Sequence, residues 1–173
     1  MKFIKRVLIA LAVLLLLISA VGLLFFPSKI EVHRSIIISR TPNDVFEYVN
    51  DLSNFNQWSP WFEKDTSAVY VLEGPPSGKG ASLSWRSANP DVGTGSFTTI
   101  STKPGDSIRQ EMNFMENGVA YCDYSFKPAE GGTEMSWVLT ADAGSNPLLR
   151  ILGAFMNDRA GADFEHGLSK LKG

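Results

Sequence analysis

The sequence predicts an α+β protein in which an antiparallel sheet of seven strands is covered by a long C-terminal helix. Three observations support this prediction. An uncharged apolar run opens the chain, short strand-like segments separated by Gly- and Pro-containing turns fill its centre, and an apolar stripe with helical spacing closes it. The opening run adds one N-terminal transmembrane helix to the predicted architecture.

The apolar run extends from Val7 to Phe26, which is long enough to cross the hydrocarbon core of a bilayer. Three basic residues precede it, namely Lys2, Lys5 and Arg6. By the positive-inside rule, this end stays in the cytoplasm and the rest of the chain lies on the far side of the inner membrane. The sequence therefore predicts a single-pass protein that contacts the membrane through residues 7–26.

A cleaved signal peptide is the alternative interpretation of this run. The best cleavage site would be Ala20-Val21-Gly22, but the apolar run continues beyond it through Phe26. An uncleaved anchor is therefore favoured. We expect residues 1–28 to form a signal-anchor and residues 29–173 to form one exported, periplasmic domain.

Charge and cysteine content exclude several classes of function. The chain has a formal net charge of −2, and because all eighteen acidic residues follow Phe26, the exported part is clearly acidic. That sign is wrong for a nucleic-acid-binding protein. Cys122 is the only cysteine, so the sequence predicts neither a disulfide framework nor a thiolate metal site.

The exported part begins with a strand and two short helices. Glu31–Ser39 is rich in β-branched residues and predicts the strand. Thr41 is a good N-cap, with Pro42 at the first helical position and Asp44 close to a capping-box acid. The first helix has a buried side formed by Val45, Phe46, Val49 and Leu52, and a second helical turn spans Asp51–Asn56. The aromatic cluster that follows, around Trp58 and Trp61, either plugs an edge of the core or lines the mouth of a pocket.

Six further segments predict strands that form an antiparallel meander, because the connections between them are short. They are Ser67–Leu72, Ala81–Ser87, Gly95–Ser101, Ser107–Met115, Val119–Lys127 and Thr133–Ala141. A three-residue loop, Glu116-Asn117-Gly118 with Gly118 left-handed, would pair Met112 with Cys122. A four-residue loop from Ala129 to Gly132 would pair Tyr124 with Trp137.

These registers place a set of apolar and aromatic side chains on one face of the sheet. The set is Ile108, Gln110, Met112, Phe114, Cys122, Tyr124, Phe126, Met135, Trp137 and Leu139. The opposite face is polar and solvated, and it carries Glu111 directly opposite Asp123. An apolar sheet face needs a cover.

The last segment, from Asn146 to Lys172, predicts the helix that supplies this cover. Asn146 is a suitable N-cap and Pro147 suits the first turn. The apolar stripe consists of Leu148, Leu152, Phe155, Met156, Ala160, Phe164, Leu168 and Leu171. Gly153, Gly161 and Gly167 weaken the helix, so they would let it bend or approach something bound beneath it.

The order of elements resembles the helix-grip fold of the START-like (SRPBCC) superfamily, which includes polyketide cyclase/dehydrase-like proteins. Three stretches carry the resemblance: Ile36–Phe46 with its Thr41-Pro42 helix start, Asn56–Trp61, and Asp163–Lys172. The resemblance spans about Lys29 to Lys172. It implies a cavity between the sheet and the long helix, and it permits functions from lipid carriage to aromatase/cyclase catalysis.

The sequence contains no obvious catalytic or metal-binding constellation. His33 and His166 lack companion ligands, and Asp163 with His166 predicts only a surface ion pair. Cys122 falls among apolar neighbours, where a thiol stays neutral and inert. Glu111 and Asp123 lie on the wet face, and general acid–base catalysis needs a secluded carboxyl group. We therefore expect no cofactor and favour a non-enzymatic role.

The leading hypothesis is a membrane-anchored, extracytoplasmic domain that binds a hydrophobic small molecule or lipid, for transport or sensing, between the sheet and the C-terminal helix. The inner face would line the site, with Gln110, Tyr124 and Trp137 as polar groups that orient the ligand. The complete predicted site is Gln110, Met112, Phe114, Tyr124, Phe126, Met135, Trp137, Phe155, Met156, Trp58, Trp61 and Trp85. A polyketide cyclase/aromatase-like enzyme is one alternative, and an envelope interaction domain with a filled core is another.

Overall fold

The structure is a computed structural model that describes residues 2–115 and 118–172. Within them, a seven-stranded antiparallel sheet has the strand order β1-β7-β6-β5-β4-β3-β2. The strands are β1 Lys29–Ile38, β2 Val69–Glu73, β3 Ser82–Arg86, β4 Thr94–Lys103, β5 Ser107–Asn113, β6 Val119–Ala129 and β7 Gly132–Asp142. The predicted α+β architecture and sheet are confirmed.

The helices lie before the sheet, between its first two strands and after its last strand. They are α1 Lys2–Phe25, α2 Pro42–Asn50, α3 Phe55–Trp58, α4 Pro60–Lys64, α5 Pro147–Gly153 and α6 Met156–Lys172, and a 3₁₀ turn spans Leu52–Asn54. By length and composition α1 is able to cross a membrane, which is weak evidence that it does so. α6 packs against β1, α3 and α4.

The predicted helix starts are present. The Thr41 side chain accepts a hydrogen bond from the Asp44 amide at the start of α2, and its hydroxyl donates to the Asp44 carboxylate at 2.8 Å. Asn146 caps α5 by accepting hydrogen bonds from the amides of Leu148 and Leu149. The apolar side of α2 is fully buried, as the sequence predicted.

The C-terminal helix is not continuous, which corrects the prediction of one helix from Asn146 to Lys172. α5 ends at Gly153 and α6 begins at Met156. The Phe155 amide bonds to the Leu152 carbonyl at 3.1 Å, so the chain tightens to an i→i−3 bond at the break. At Gly153 an added Cβ would lie 2.5 Å from the Ile30 side chain, so this glycine permits close contact with β1.

The apolar stripe of the C-terminal segment is buried only in its second half. Phe164 and Leu168 are buried, whereas Leu148, Leu152 and Phe155 are each more than half exposed. The sheet is therefore covered mainly by α6. Leu148 and Leu152 of α5 were expected to cover the sheet and are instead exposed.

The predicted register between β5 and β6 is wrong by two residues. Met112 pairs with Ala120, and it is Gln110 that pairs with Cys122. The last pair is Asn113 with Val119, so the connection is longer than three residues, and Met115 has a φ of 58°. Glu116 and Asn117 of the predicted loop lie outside the described residues. A shift of two leaves every side chain on its predicted face.

The shifted register also corrects the predicted Glu111–Asp123 pair. Arg109 lies opposite Asp123, with 3.3 Å between Arg109 Nη1 and Asp123 Oδ1, and Glu111 lies opposite Tyr121. Between β6 and β7 the predicted pairing of Tyr124 with Trp137 is confirmed, across a tighter turn than expected. The inner face of the sheet is the predicted one, and all of its members are buried except the half-buried Phe114.

Candidate functional site

One end of the interface between the sheet and α6 is tightly filled, and we call it the packed end. The rings of Trp137 and Phe164 stack with centroids 3.8 Å apart and an interplanar angle of 11°. Trp58 meets Trp137 edge-on at 5.4 Å. An added Cβ on Gly167 would lie 3.3 Å from the Trp58 carbonyl oxygen, so this glycine lets α6 approach closely.

The other end, which we call the open end, contains a cavity of about 650 Å³. Among the described residues that line it, most are aromatic or apolar and four are charged. The lining consists of Phe55, Trp61, Lys64, Tyr70, Trp85, Pro90, Asp91, Val92, Phe97, Met112, Phe114, Leu139, Met156, Arg159, Ala160, Asp163 and Phe164. The cavity has the size and character of a small-molecule binding site.

The wall on the sheet side is held in place by Trp85. Its indole N–H donates to the Val92 carbonyl at 3.2 Å. An added Cβ on Gly95, across the ladder, would lie 2.6 Å from the Trp85 ring, so only glycine leaves room for the ring there. The ring also packs against Phe97 and Phe114, with centroids 6.0 and 6.3 Å away. The cavity wall is therefore fixed on this side.

Tyr70 lines the cavity, and its hydroxyl group lies beneath the surface of the wall. Its hydroxyl oxygen is buried and has no hydrogen-bond partner among the described residues. Burial raises the pKa of the phenol, and the negative charge of Asp65 raises it further, so the group stays protonated. A buried hydroxyl without a partner is costly, so this group is held in an unfavourable position by the packing around it.

Two ion pairs lie at the edge of the cavity. Lys64 Nζ of α4 lies 2.6 Å from Asp163 Oδ2 of α6, and Arg159 Nη2 of α6 lies 3.6 Å from Asp91 Oδ1 of the β3–β4 loop. The Arg159 side chain is 85% exposed, so its pair with Asp91 lies in solvent. These pairs therefore mark the mouth.

Asp163 and His166 do not pair with each other, which corrects the predicted surface ion pair. Asp163 pairs with Lys64, and His166 Nε2 lies 2.6 Å from Glu63 Oε2. Lys170 Nζ also lies 2.6 Å from the Glu63 carboxylate. The acid and the histidine find partners on α4 because that helix packs directly against α6.

The β3–β4 loop is joined to α4 beside the mouth. Ser87 donates a hydrogen bond to the Asp65 carboxylate, and Asn89 Nδ2 donates to the Lys64 carbonyl at 3.1 Å. Hydrogen bonds from Ser67, and then from Ser87, lower the pKa of Asp65. The loop therefore links α4 to the rim on which Asp91 sits.

The structure brings only part of the predicted site to the cavity. Trp61, Trp85, Met112, Phe114 and Met156 line it. Of the two tryptophans in the aromatic cluster, Trp61 lines the pocket, while Trp58 is 2% exposed and plugs the core.

The remaining predicted site residues lie elsewhere. Phe155 is 62% exposed and is not part of the lining. Six residues of the predicted site are buried but do not line the cavity, namely Trp58, Gln110, Tyr124, Phe126, Met135 and Trp137. Two of the expected orienting groups bond within the protein: Gln110 Nε2 donates to Thr99 Oγ1 at 3.3 Å, and Trp137 Nε1 donates to Cys122 Sγ at 3.5 Å.

Sequence reasoning missed Tyr70, Phe55 and Phe97 as cavity residues. Both Tyr70 and Phe97 lie on strands that the sequence did predict. Alternation with the polar neighbours Ser96 and Thr98 was an available signal for Phe97, whereas Tyr70 lies between Val69 and Val71 and offered none. The registers derived from the sequence covered only β5 to β7. The faces of the earlier strands therefore stayed unassigned.

The described residues show no metal or thiol chemistry in this region. Among them, no group of three or more His, Cys, Asp or Glu side chains could hold a metal ion. Cys122 is buried, and burial raises the pKa of its thiol to about 12, so it stays protonated.

Residues 29–173 match one protein family by sequence. The family described as "Polyketide cyclase / dehydrase and lipid transport" matches residues 29–173. No curated protein matches the chain. The match confirms the START-like resemblance.

Solved structures with the same fold share little sequence identity with this chain. The di-domain ARO/CYC StfQ from the steffimycin biosynthetic pathway has a TM-score of 0.63 and 15% identity, covering 83% of this chain and 49% of that one. SA2116 of Staphylococcus aureus has a TM-score of 0.62 and 15% identity, covering 83% and 91%. CV1439 of Chromobacterium violaceum has a TM-score of 0.57 and 17% identity, covering 84% and 96%. At these identities the likeness concerns the fold.

Proposed function

This chain belongs to the polyketide cyclase/dehydrase and lipid transport family, and on that premise we propose that it binds a hydrophobic small molecule or lipid at the open end. The observation that carries the proposal is the cavity of about 650 Å³ with an aromatic wall. Apolar ligands gain about 25 cal/mol for each Å² of surface removed from water, so such a wall supplies the affinity.

A ligand that uncovers the buried hydroxyl of Tyr70 on entry would be oriented by it. The hydroxyl has no protein partner among the described residues, and it can both donate to and accept from a ligand. A ligand with one carbonyl or hydroxyl on an otherwise apolar body satisfies the site. The charged pairs at the mouth, Lys64–Asp163 and Asp91–Arg159, would lie at the rim beside the bound ligand.

The proposal includes a membrane anchor. Residues 1–28 would hold the domain of residues 29–173 at the outer face of the inner membrane, with the N-terminus in the cytoplasm. The 24-residue helix α1 supports this arrangement. The position of the basic residues, just before the apolar run, supports it too. A bilayer beside the domain would be the source or the destination of its ligand.

Native mass spectrometry of the full-length protein, with lipid extraction alongside, tests the proposal. We expect a stoichiometric apolar molecule to co-purify with the wild type. Ala160 lines the cavity, so Ala160→Phe should fill it and remove that molecule. Ala162 is exposed on the same helix, so Ala162→Phe is the matched control and should keep it. Bare wild-type protein would favour the envelope interaction domain instead.

An aromatase/cyclase-like activity is the second candidate, favoured by one observation. The cavity wall includes Tyr70 and the ion-paired Asp163 and Lys64, which can take part in proton transfer. Incubation of the purified complex separates the two functions. A carrier returns its ligand with unchanged mass, whereas an enzyme returns a product of altered mass.

A further inference from the structure

Helix α5 presents an apolar surface that covers nothing in the described structure. Leu148, Leu149 and Leu152 are 56%, 44% and 54% exposed, and Phe155 directly after the helix is 62% exposed. We call these four residues the α5 patch. Contiguous exposed apolar side chains of this kind mark an interaction surface in a soluble domain.

The α5 patch is joined to the end of the proposed membrane anchor. α1 packs on α5, and an added Cβ on Gly22 would lie 2.5 Å from the Pro147 carbonyl oxygen. Arg150 Nη1 donates to the carbonyls of Leu23 and Phe26 at 3.1 and 3.4 Å. A cation beside the last carbonyls of a helix interacts favourably with the negative end of the helix dipole. The contact therefore fixes α5 beside the final turn of α1.

The length of α1 sets the depth at which this contact lies. Its 24 residues span about 36 Å at 1.5 Å per residue, slightly more than a hydrocarbon core of about 30 Å. When α1 crosses the bilayer, its final turn lies at the outer boundary of that core. The side chains of α5 then lie at the same level, where apolar residues enter the acyl region.

The α5 patch is also continuous with the mouth of the cavity. Phe155 is followed by Met156, which lines the cavity and is itself 37% exposed. Arg159 and Ala160, one turn further along α6, line it too. A molecule leaving the bilayer next to α5 would therefore meet the mouth without crossing open water.

We infer that the α5 patch inserts into the outer surface of the bilayer and holds the cavity mouth against the lipid. The inference rests on the proposed membrane anchor, and it adds a second contact between the protein and the bilayer. The occupant is lipid rather than a second copy of the chain, because the α5 patch continues the exposed apolar surface of Leu24 and Phe25 in α1. The only charged residue of α5, Arg150, is already bonded to α1, so insertion needs no anionic lipid.

Spin-label depth measurement on the full-length protein in phosphatidylcholine vesicles tests this inference. Cys122 is buried, so single labels can be placed at Leu152→Cys, Leu15→Cys and Val71→Cys. Leu15 lies within α1, and Val71 is an exposed residue of β2 that serves as the aqueous control. Collisions with oxygen report lipid exposure, and collisions with a water-soluble nickel chelate report water exposure.

We expect the Leu152 label to lose its collisions with the nickel chelate and gain those with oxygen, as the Leu15 label does, while the Val71 label stays in water. The inference would be overturned, and the anchor left intact, if the Leu152 label collided with the nickel chelate as often as the Val71 label while the Leu15 label stayed in lipid. Both labels in water would refute the anchor itself. Spin–spin broadening between Leu152 labels of separate chains would assign the α5 patch to a second copy and also overturn the inference.

Discussion

The packed end and the open end share one apolar sheet, yet only one of them holds a cavity. At the packed end, Trp137 stacks on Phe164 and Trp58 closes the gap. At the open end, Trp85, Phe97 and Phe114 present similar rings, and space remains above them. The difference shows that the cavity depends on what covers the sheet, because both parts of the sheet are equally aromatic.

The cover differs because α6 packs closely on α3, α4 and the Trp137 ring at one end. Gly167 brings the helix within contact of Pro60 and Trp58, and bulky rings fill what is left. At the other end the helix contributes Met156 and Ala160, and the break after α5 turns the preceding apolar residues outward. The open end therefore keeps unfilled space beside the sheet, and this is where the ligand is proposed to bind.

The largest expected effect compares one tryptophan from each end. Trp137→Ala should lower the free energy of unfolding by about 3–5 kcal/mol, because it empties a filled site. Trp85 is half-buried and already borders open space, so Trp85→Ala should cost about 1–2 kcal/mol. Urea unfolding followed by near-ultraviolet circular dichroism measures both. Equal losses would contradict the distinction between the two ends.

A smaller effect is expected from adding a side chain at Gly167, where α6 makes its close contact at the packed end. The Cβ of Gly167→Val would already lie 3.2 Å from Pro60 Cδ, and the additional methyl groups have no room. Overpacking of this kind costs about 1–3 kcal/mol. The exposed Ser169 on the same helix is the control, and Ser169→Val should change stability by less than about 0.5 kcal/mol. A thermal melt in which both variants match the wild type would show that the helix is loosely seated.

The third prediction concerns ligand binding at the open end. Tyr70→Phe removes the unpartnered hydroxyl, so the free energy of unfolding of the free protein should not fall. The same change removes a hydrogen bond to the ligand, which contributes about 1 kcal/mol to the binding free energy. Affinity for a dansyl-labelled fatty acid should therefore drop about fivefold. Tyr121 lies on the outer face, where its ring contacts Arg109, so Tyr121→Phe is the control. An unchanged affinity of Tyr70→Phe would exclude its hydroxyl from the site.

The smallest expected effect is a pH dependence of the contact between α4 and α6. Hydrogen bonds from Lys170 and then His166 lower the pKa of Glu63 below its ordinary value of 4.5. The folded state therefore gains stability above that value and loses it as the pH falls through the lowered pKa. Unfolding curves between neutral and acidic pH should show this loss in the wild type. Glu63→Gln removes the titrating group, and an identical profile in that variant would assign the loss to other carboxylates.

The sequence alone predicted the strands of the sheet and the faces of β5 to β7, because alternation along a strand assigns each side chain to one side. The pairing of β6 with β7 also followed from the sequence, since Tyr124 and Trp137 lie opposite each other as predicted. The β5–β6 register did not. A shift of two residues keeps every face, so the apolar pattern of Met112 and Gln110 could not detect it.

Only the tertiary structure decided how the last segment is used. Its periodic stripe indicated one long covering helix. The helix instead breaks after Gly153, and the side chains of Leu148 and Leu152 are exposed. Periodicity reports which residues share a helical face and carries no information on what that face meets. The same limit applies to Tyr124 and Tyr70, because the space beside a ring depends on how closely another element approaches, and that distance is set by the packed chain as a whole.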